Sequence, residues 1–223
     1  MPLSEIIFHK DNVRTTDIFN DGCTIPELDD ASPRCTYMNS TIQKLSLIGG
    51  DQFLFVISSN YLGSEKFVKD TIKLAESVTS NGSQLLVMLP TPRYPALDDR
   101  SLINNNLCKK EWFRPGFALS DVCGSGFETS KSDWLAEINF YQAQLEEYSL
   151  HNNKFFVYSP FEDLCVSING IVDNSCSPFL GDKLLYFDSS HLSVLGAKAL
   201  YPRFRSFLLS NGLLPESYWI WLV

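Results

Sequence analysis

Residues 51–90 read DQFLFVISSNYLGSEKFVKDTIKLAESVTSNGSQLLVMLP. The opening DQFLFVISSN (51–60) is apolar, aromatic and β-branched without alternation, lies between Gly49-Gly50 and Asn60, and suits a strand buried on both faces. In the stretch that follows, Phe67, Val68, Ile72, Ala75 and Val78 recur at helical spacing, Ser64 stands where a cap belongs, and Asn81-Gly82 ends the pattern. QLLVMLP (84–90) is a second buried run. Strand, helix and strand in this order predict a parallel pair joined by a crossover helix.

The same alternation extends toward the C-terminus. After Pro90-Thr91-Pro92 an irregular segment holds Cys108 and Cys123, and from Ser132 the residues Trp134, Leu135, Ile138, Tyr141, Leu145 and Tyr148 mark a helix. KFFVYSP (154–160) predicts another buried strand, and a last helix is expected from about Ser193 to Ser210, kinked or broken at Pro202 because proline lacks the N–H and crowds the preceding turn. These elements predict an α/β domain with a parallel sheet covered by helices on both faces, in which working residues sit on loops at the carboxyl ends of strands. The segments so singled out are 58–63, 90–94, 159–163 and 188–191.

Composition sets the bounds. The 223 residues suffice for one sizeable domain, 44% hydrophobic and 20% charged residues are the balance of a globular chain, and a single domain over 1–223 is expected. A net charge of −8 with no Lys/Arg cluster argues against nucleic acid as a partner. The six cysteines form sequence-local pairs, Cys23/Cys35, Cys108/Cys123 and Cys165/Cys176, each spanning a stretch rich in Pro, Asp, Gly or Ser. Zinc is the rival reading, but no pair has C-x-x-C spacing and no histidine completes a site; six free thiols are the other alternative. Disulfides Cys23–Cys35, Cys108–Cys123 and Cys165–Cys176 are therefore expected, and with them an oxidising, extracytoplasmic compartment. The N-terminal MPLSEIIFHKDNVRTT lacks the pattern of an export signal, and no stretch reaches the ~18 apolar residues of a spanning helix. No metal or cofactor is expected.

Chemistry enters at LLYFDSSHLSVLGAKAL (184–200), where Asp188 precedes His191 by three residues ahead of an amphipathic run. One reading is a helix cap by Asp188 or Ser190 with an ordinary surface histidine. The other is an acid–base pair: a histidine takes a proton from a nucleophile, while a carboxylate on its other ring nitrogen fixes the tautomer and stabilises the imidazolium.

The D-x-x-H spacing alone is common, but with L-S-x-x-G-A after it and LLYF and a cysteine pair before it the sequence resembles the SGNH (GDSL-like) hydrolases. Within them it resembles the SGNH domain fused to the C-terminus of membrane acyltransferase-3 proteins, the O-acetyltransferases of bacterial surface polysaccharides. LCVSINGIVDNSC (164–176) and LLYFDSSHLSVLGAKAL look like that branch's paired cysteines and its Y-x-D-x-x-H-L-S-x-x-G-A block. NDGCTIPEL (20–28) is similar to its Gly-Cys-Pro segment, DQFLFVISSNYL (51–62) to its strand with a polar and aromatic tip, and LLVMLPTPRYP (85–95) to its strand ending in prolines.

The resemblance implies a three-layer, flavodoxin-like SGNH fold and serine-ester chemistry on acyl groups of sugar hydroxyls. Asp188 becomes the orienter and His191 the general base. Gly22 matches the position of an oxyanion N–H donor, against a plain turn glycine. Asn60 matches a second oxyanion donor, against a strand-end cap, although the family's G-x-N-D pattern is absent there. Tyr61 and Arg93 are candidate substrate-lining residues or loop anchors. The implied partners are a carbohydrate or acylated-glycan substrate and a membrane acyltransferase-3 domain that tethers the module outside the cytoplasm.

One departure matters most. The family carries its serine in G-D-S-H on the first strand, no G-D-S occurs in this chain, and Ser4 has no strand before it. MPLSEIIFHKDN (1–12) looks like the helix that follows the serine, so the expectation is a chain truncated at its N-terminus, lacking nucleophile and first strand, and inactive as written. The missing strand is central in such a sheet, and two inward edges should be left unpaired. The rival functions are a secreted SGNH esterase or polysaccharide deacetylase, and a non-catalytic carbohydrate-binding module using the old cleft.

Overall fold

A computed structural model describes residues 15–18, 33–49, 53–58, 65–98, 129–165, 175–180, 183–213 and 218–222. In chain order the elements are β1 (Thr15–Ile18), α1 (Pro33–Gly49), β2 (Phe53–Ser58), α2 (Glu65–Ser80), β3 (Gln84–Met88), a 3-10 turn (Pro95–Asp98) and β4 (Thr129–Ser130). There follow α3 (Lys131–His151), β5 (Phe155–Tyr158), α4 (Phe161–Leu164), β6 (Ser175–Cys176), β7 (Phe179–Leu180), β8 (Lys183–Leu184), α5 (Val194–Ser210) and β9 (Tyr218–Leu222). The described residues fall into two compact units, one drawn from 91–137 and 160–203, the other from 7–90, 138–159 and 204–223.

The second unit holds a five-stranded sheet in the order β1-β9-β2-β3-β5, with every neighbouring pair parallel. Leu54 to Ile57 of β2 and Leu85 to Leu89 along β3 are fully buried, as the unbroken apolar runs require. Toward the edge, β5 buries Phe155 and Tyr158 but leaves Phe156 and Val157 half-buried. Along α2 the buried stripe is Phe67, Val68, Leu74, Ala75 and Val78, with Ile72 half-buried. Asp70 is also buried there; Lys66 at 3.0 Å and Lys73 at 3.8 Å, one turn to either side, supply the counter-charge a buried carboxylate needs. The chain leaves α2 through Gly82, whose φ of 96° is open to glycine, and Lys154 Nζ donates to the Gly82 carbonyl at 3.0 Å. Asn152 Nδ2 donates to Thr79 Oγ1 at 3.0 Å and the Leu85 N–H to the Lys154 carbonyl at 2.9 Å, so the turns before β3 and β5 are bonded to each other.

Sheet closure differs from the sequence expectation of two unpaired inner edges. The place between β1 and β2 is filled by β9: Thr16 stands opposite Ile220 on one side and Phe55 opposite Ile220 on the other. Aromatic and β-branched residues dominate YWIWL, a composition that suits a strand, and lateral pairing satisfies backbone groups that an empty slot would leave bare.

One further reading changes. The last helix begins at Val194 as expected, but it runs through Pro202 to Ser210 without a break. Ala197, Leu200, Tyr201, Phe204 and Leu208 give it a continuous buried stripe on either side of the proline, and that packing offsets the lost backbone bond. Helix α1 carries no amphipathic signal, with buried Ile42 and Ser46 beside exposed Tyr37, Leu47 and Ile48.

The first unit contains the disulfide Cys165–Cys176, one of the three expected. Among the described residues no cysteine is free. Cys23, Cys108 and Cys123 lie outside the described residues, as does the side chain of Cys35. No helix among the described residues is long and apolar enough to cross a membrane.

Candidate functional site

The Asp188/His191 stretch sits on a loop closed by its own backbone. Ahead of it, β7 and β8 form a two-residue antiparallel ladder, and the Leu185 N–H returns to the Pro178 carbonyl at 2.8 Å. Tyr186 then bridges antiparallel to Leu192, and the Phe187 N–H donates to the His191 carbonyl at 2.7 Å. Residues 187–191 are thereby cinched at both ends. Inside the loop the Asp188 Oδ1 accepts the backbone N–H of Ser190 at 2.9 Å and of His191 at 2.8 Å.

His191 Nδ1 lies 2.9 Å from Asp188 Oδ1 and 2.8 Å from Oδ2. An ionised carboxylate only accepts, so Nδ1 carries the proton it donates, and Nε2 is the nitrogen suited to proton work. The His191 side chain is 66% exposed and that of Asp188 27%, so the imidazole faces outward from a better-shielded carboxylate. Burial pushes the Asp188 carboxyl up, but the two backbone N–H groups and the His191 ring outweigh it and hold the carboxyl below its usual range.

That depression has a sign. A carboxyl that titrates lower folded than unfolded contributes stability above its unfolded value of 3.8, and the contribution disappears as pH falls through the lower folded value. Asp188→Asn is expected to cost up to about 1 kcal/mol near pH 6, with the difference from wild type closing below about pH 4. Thermal melts of both proteins from pH 6 to pH 2 check this, and a pH-independent difference would contradict it.

The helix-cap reading of the same residues goes to a neighbour. Ser193 Oγ accepts the Gly196 N–H at 3.2 Å, the N-cap bond of α5, and its own O–H donates to the Leu184 carbonyl at 3.2 Å. Its backbone N–H reaches the Leu185 carbonyl at 2.8 Å. Asp188 and Ser190 are therefore not the cap, and among the described residues Asp188 serves its own loop and His191.

A second segment meets this loop. Beyond β3 the chain passes Pro90 into residues 91–98, where Thr91 Oγ1 donates to the Ser190 carbonyl at 3.1 Å and the Tyr94 N–H to the Ser189 carbonyl at 2.8 Å. Arg93, half-buried, lies between these two anchors. The rings of Tyr94 and Tyr186 are fully buried and meet edge-on at 4.8 Å. The position of residues 90–94 at the carboxyl end of a strand marks them as a loop of interest without singling out Thr91 or Tyr94. Side chain to carbonyl contacts across 99 residues leave no local pattern. Gly22, Asn60 and Tyr61 lie outside the described residues.

Chemically, the loop offers an oriented imidazole with a carboxylate behind it, the base half of a hydroxyl-activating site. Residues 2–206 match the family model described as SGNH domain (fused to AT3 domains). No curated protein and no solved structure matches the chain.

Proposed function

The chain belongs to the family of SGNH domains that are fused to AT3 domains, and from that footing we propose that it supplies the base and orienter of an O-acyl transfer centre acting on sugar hydroxyls. The observation that carries the reading is the two-oxygen contact of Asp188 with His191 Nδ1. In this reading a serine hydroxyl attacks the acyl carbonyl while His191 Nε2 takes its proton, and Asp188 stabilises the resulting imidazolium. The protonated ring then gives its proton to the departing alkoxide, leaving a seryl ester. A sugar hydroxyl, deprotonated by the same nitrogen, attacks that ester and restores the serine; water in its place gives hydrolysis. Gly22 and Asn60 are the proposed oxyanion donors, and Tyr61 and Arg93 the proposed substrate-lining residues. A disulfide in the same unit favours an extracytoplasmic setting.

No G-D-S occurs in the 223 residues, so the nucleophile of this scheme is not supplied by them in the family's manner. The chain by itself is expected to hydrolyse p-nitrophenyl acetate no faster than buffer. A form extended upstream by a strand ending in Gly-Asp-Ser-His is expected to release acetate from an O-acetylated glycan and to lose at least ~100-fold in rate with His191→Ala. Turnover by the unextended chain that vanishes in His191→Ala would overturn the inactivity. Glycan binding without turnover in either form, unaffected by His191→Ala, would favour the non-catalytic binding module.

A further inference from the structure

We propose that Thr91 is a positioning residue for the Asp188–His191 pair, acting through the peptide group between Ser190 and His191. The inference rests on the functional reading of that pair and deepens it. The carbonyl of Ser190 and the N–H of His191 belong to one planar peptide unit. That unit accepts the Thr91 hydroxyl at 3.1 Å on its oxygen and donates from its nitrogen to Asp188 Oδ1 at 2.8 Å. The preceding unit repeats the arrangement, its Ser189 oxygen accepting the Tyr94 N–H at 2.8 Å and its Ser190 nitrogen donating to Asp188 Oδ1 at 2.9 Å.

Two adjacent peptides thus stand as relays between the 91–94 segment and the carboxylate. Because each plane is rigid, a donor that fixes its oxygen also aims its N–H, and hydrogen bonds in series polarise one another. One relay is driven by a backbone N–H, which side-chain substitution leaves intact. The other depends on the Thr91 hydroxyl.

The surroundings of Thr91 agree with a fixed role. The buried Tyr186 phenol is held well above its ordinary range by burial and by Tyr94, with Thr91 opposing, so it remains a neutral hydroxyl. Its contact with Thr91 falls short of full hydrogen-bond geometry, which leaves the carbonyl of Ser190 as the well-formed partner of Thr91. The rings of Tyr94 and Tyr186 pack edge-on against each other, and His191 is the titratable side chain bonded to Asp188.

The test uses the 223-residue chain and needs no turnover. Thr91→Val keeps the shape and removes the donor; Thr91→Ser keeps the donor. In Thr91→Val the NMR titration midpoint of the Asp188 carboxyl is expected to move up toward the ordinary aspartate range, and amide exchange is expected to accelerate at His191 more than at Ser190. Thr91→Ser should leave both readouts near wild type. An unmoved midpoint with unchanged His191 exchange in folded Thr91→Val, or equal loosening of the Ser190 and His191 amides, would overturn the proposal. Should Thr91→Val not fold, a Thr91→Ser chain with the Asp188 midpoint shifted and His191 exchange accelerated would overturn it equally. These readouts are separate from the His191→Ala rate test, so failure of the catalytic reading leaves a distinct signature: a shifted midpoint with turnover indifferent to His191.

Discussion

Ile220→Pro is expected to cost the protein on the order of 3–5 kcal/mol, a large share of the ~5–15 kcal/mol net stability of an ordinary domain. Ile220 is the middle residue of β9, facing Thr16 of β1 and Phe55 of β2. A proline there has no N–H for the ladder, and its ring intrudes on a strand paired on both sides, which is why central strands exclude it. The damage extends past one bond. Loosening β9 opens two parallel edges at once, one on β1 and one on β2, whose bare backbone groups invite pairing between molecules. Denaturant unfolding followed by circular dichroism should show a lower midpoint, and light scattering should show association. A wild-type midpoint would mean that β9 does not hold the centre of the sheet.

Gly196→Ala brings two effects into opposition. Alanine is the better helix former by about 1 kcal/mol, and Gly196 lies in the first turn of α5, so propensity alone forecasts a gain. Space forecasts the reverse. A Cβ on Gly196 would fall inside the contact distance of the Leu185 carbonyl oxygen and only 3.0 Å from Leu192 Cδ2. The Leu192 side chain can rotate, whereas the Leu185 oxygen is held in place as acceptor of the Ser193 N–H at 2.8 Å. Helix α5 must therefore move off the Leu185 backbone, and overpacking of this kind costs ~1–3 kcal/mol or more. Strain wins, with an expected net loss of about 1–2 kcal/mol and a fall in melting temperature of roughly 2–8 °C. Because Leu185 and Ser193 frame the 187–191 loop, the Asp188–His191 contact should loosen too, visible as a rise in the Asp188 titration midpoint. A higher melting temperature would show that α5 does not approach Leu185 closely.

Much of this was legible from the chain alone, for a physical reason. Strands β2 and β3 are buried on both faces and so appear as unbroken apolar runs, while α2 must hide one stripe and so shows helical spacing. The Asp188–His191 pair was legible because three residues of loop suffice to bring the two side chains together, and Cys165–Cys176 because its partners are near in sequence. What escaped notice depends on partners far away. YWIWL has the composition of a strand, yet its neighbours lie at Thr15–Ile18 and Phe53–Ile57, and nothing local says where it inserts. Helix α1 escaped because its exposed face carries Tyr37, Leu47 and Ile48, which blur the stripe around Ile42. Ser193 took the capping role first offered to Asp188 or Ser190, since the helix starts one residue after it rather than at the loop.

The insertion of β9 between β1 and β2 also governs the order of events during synthesis. Thr15 has Trp219 as its partner, so synthesis must pass Trp219 before β1 can join its sheet. Until then β2, β3 and β5 can assemble, while β1 waits for a neighbour that does not yet exist. Pairings of such sequence separation make folding slow, and they leave the nascent chain dependent on whatever shields its open edges in the interval.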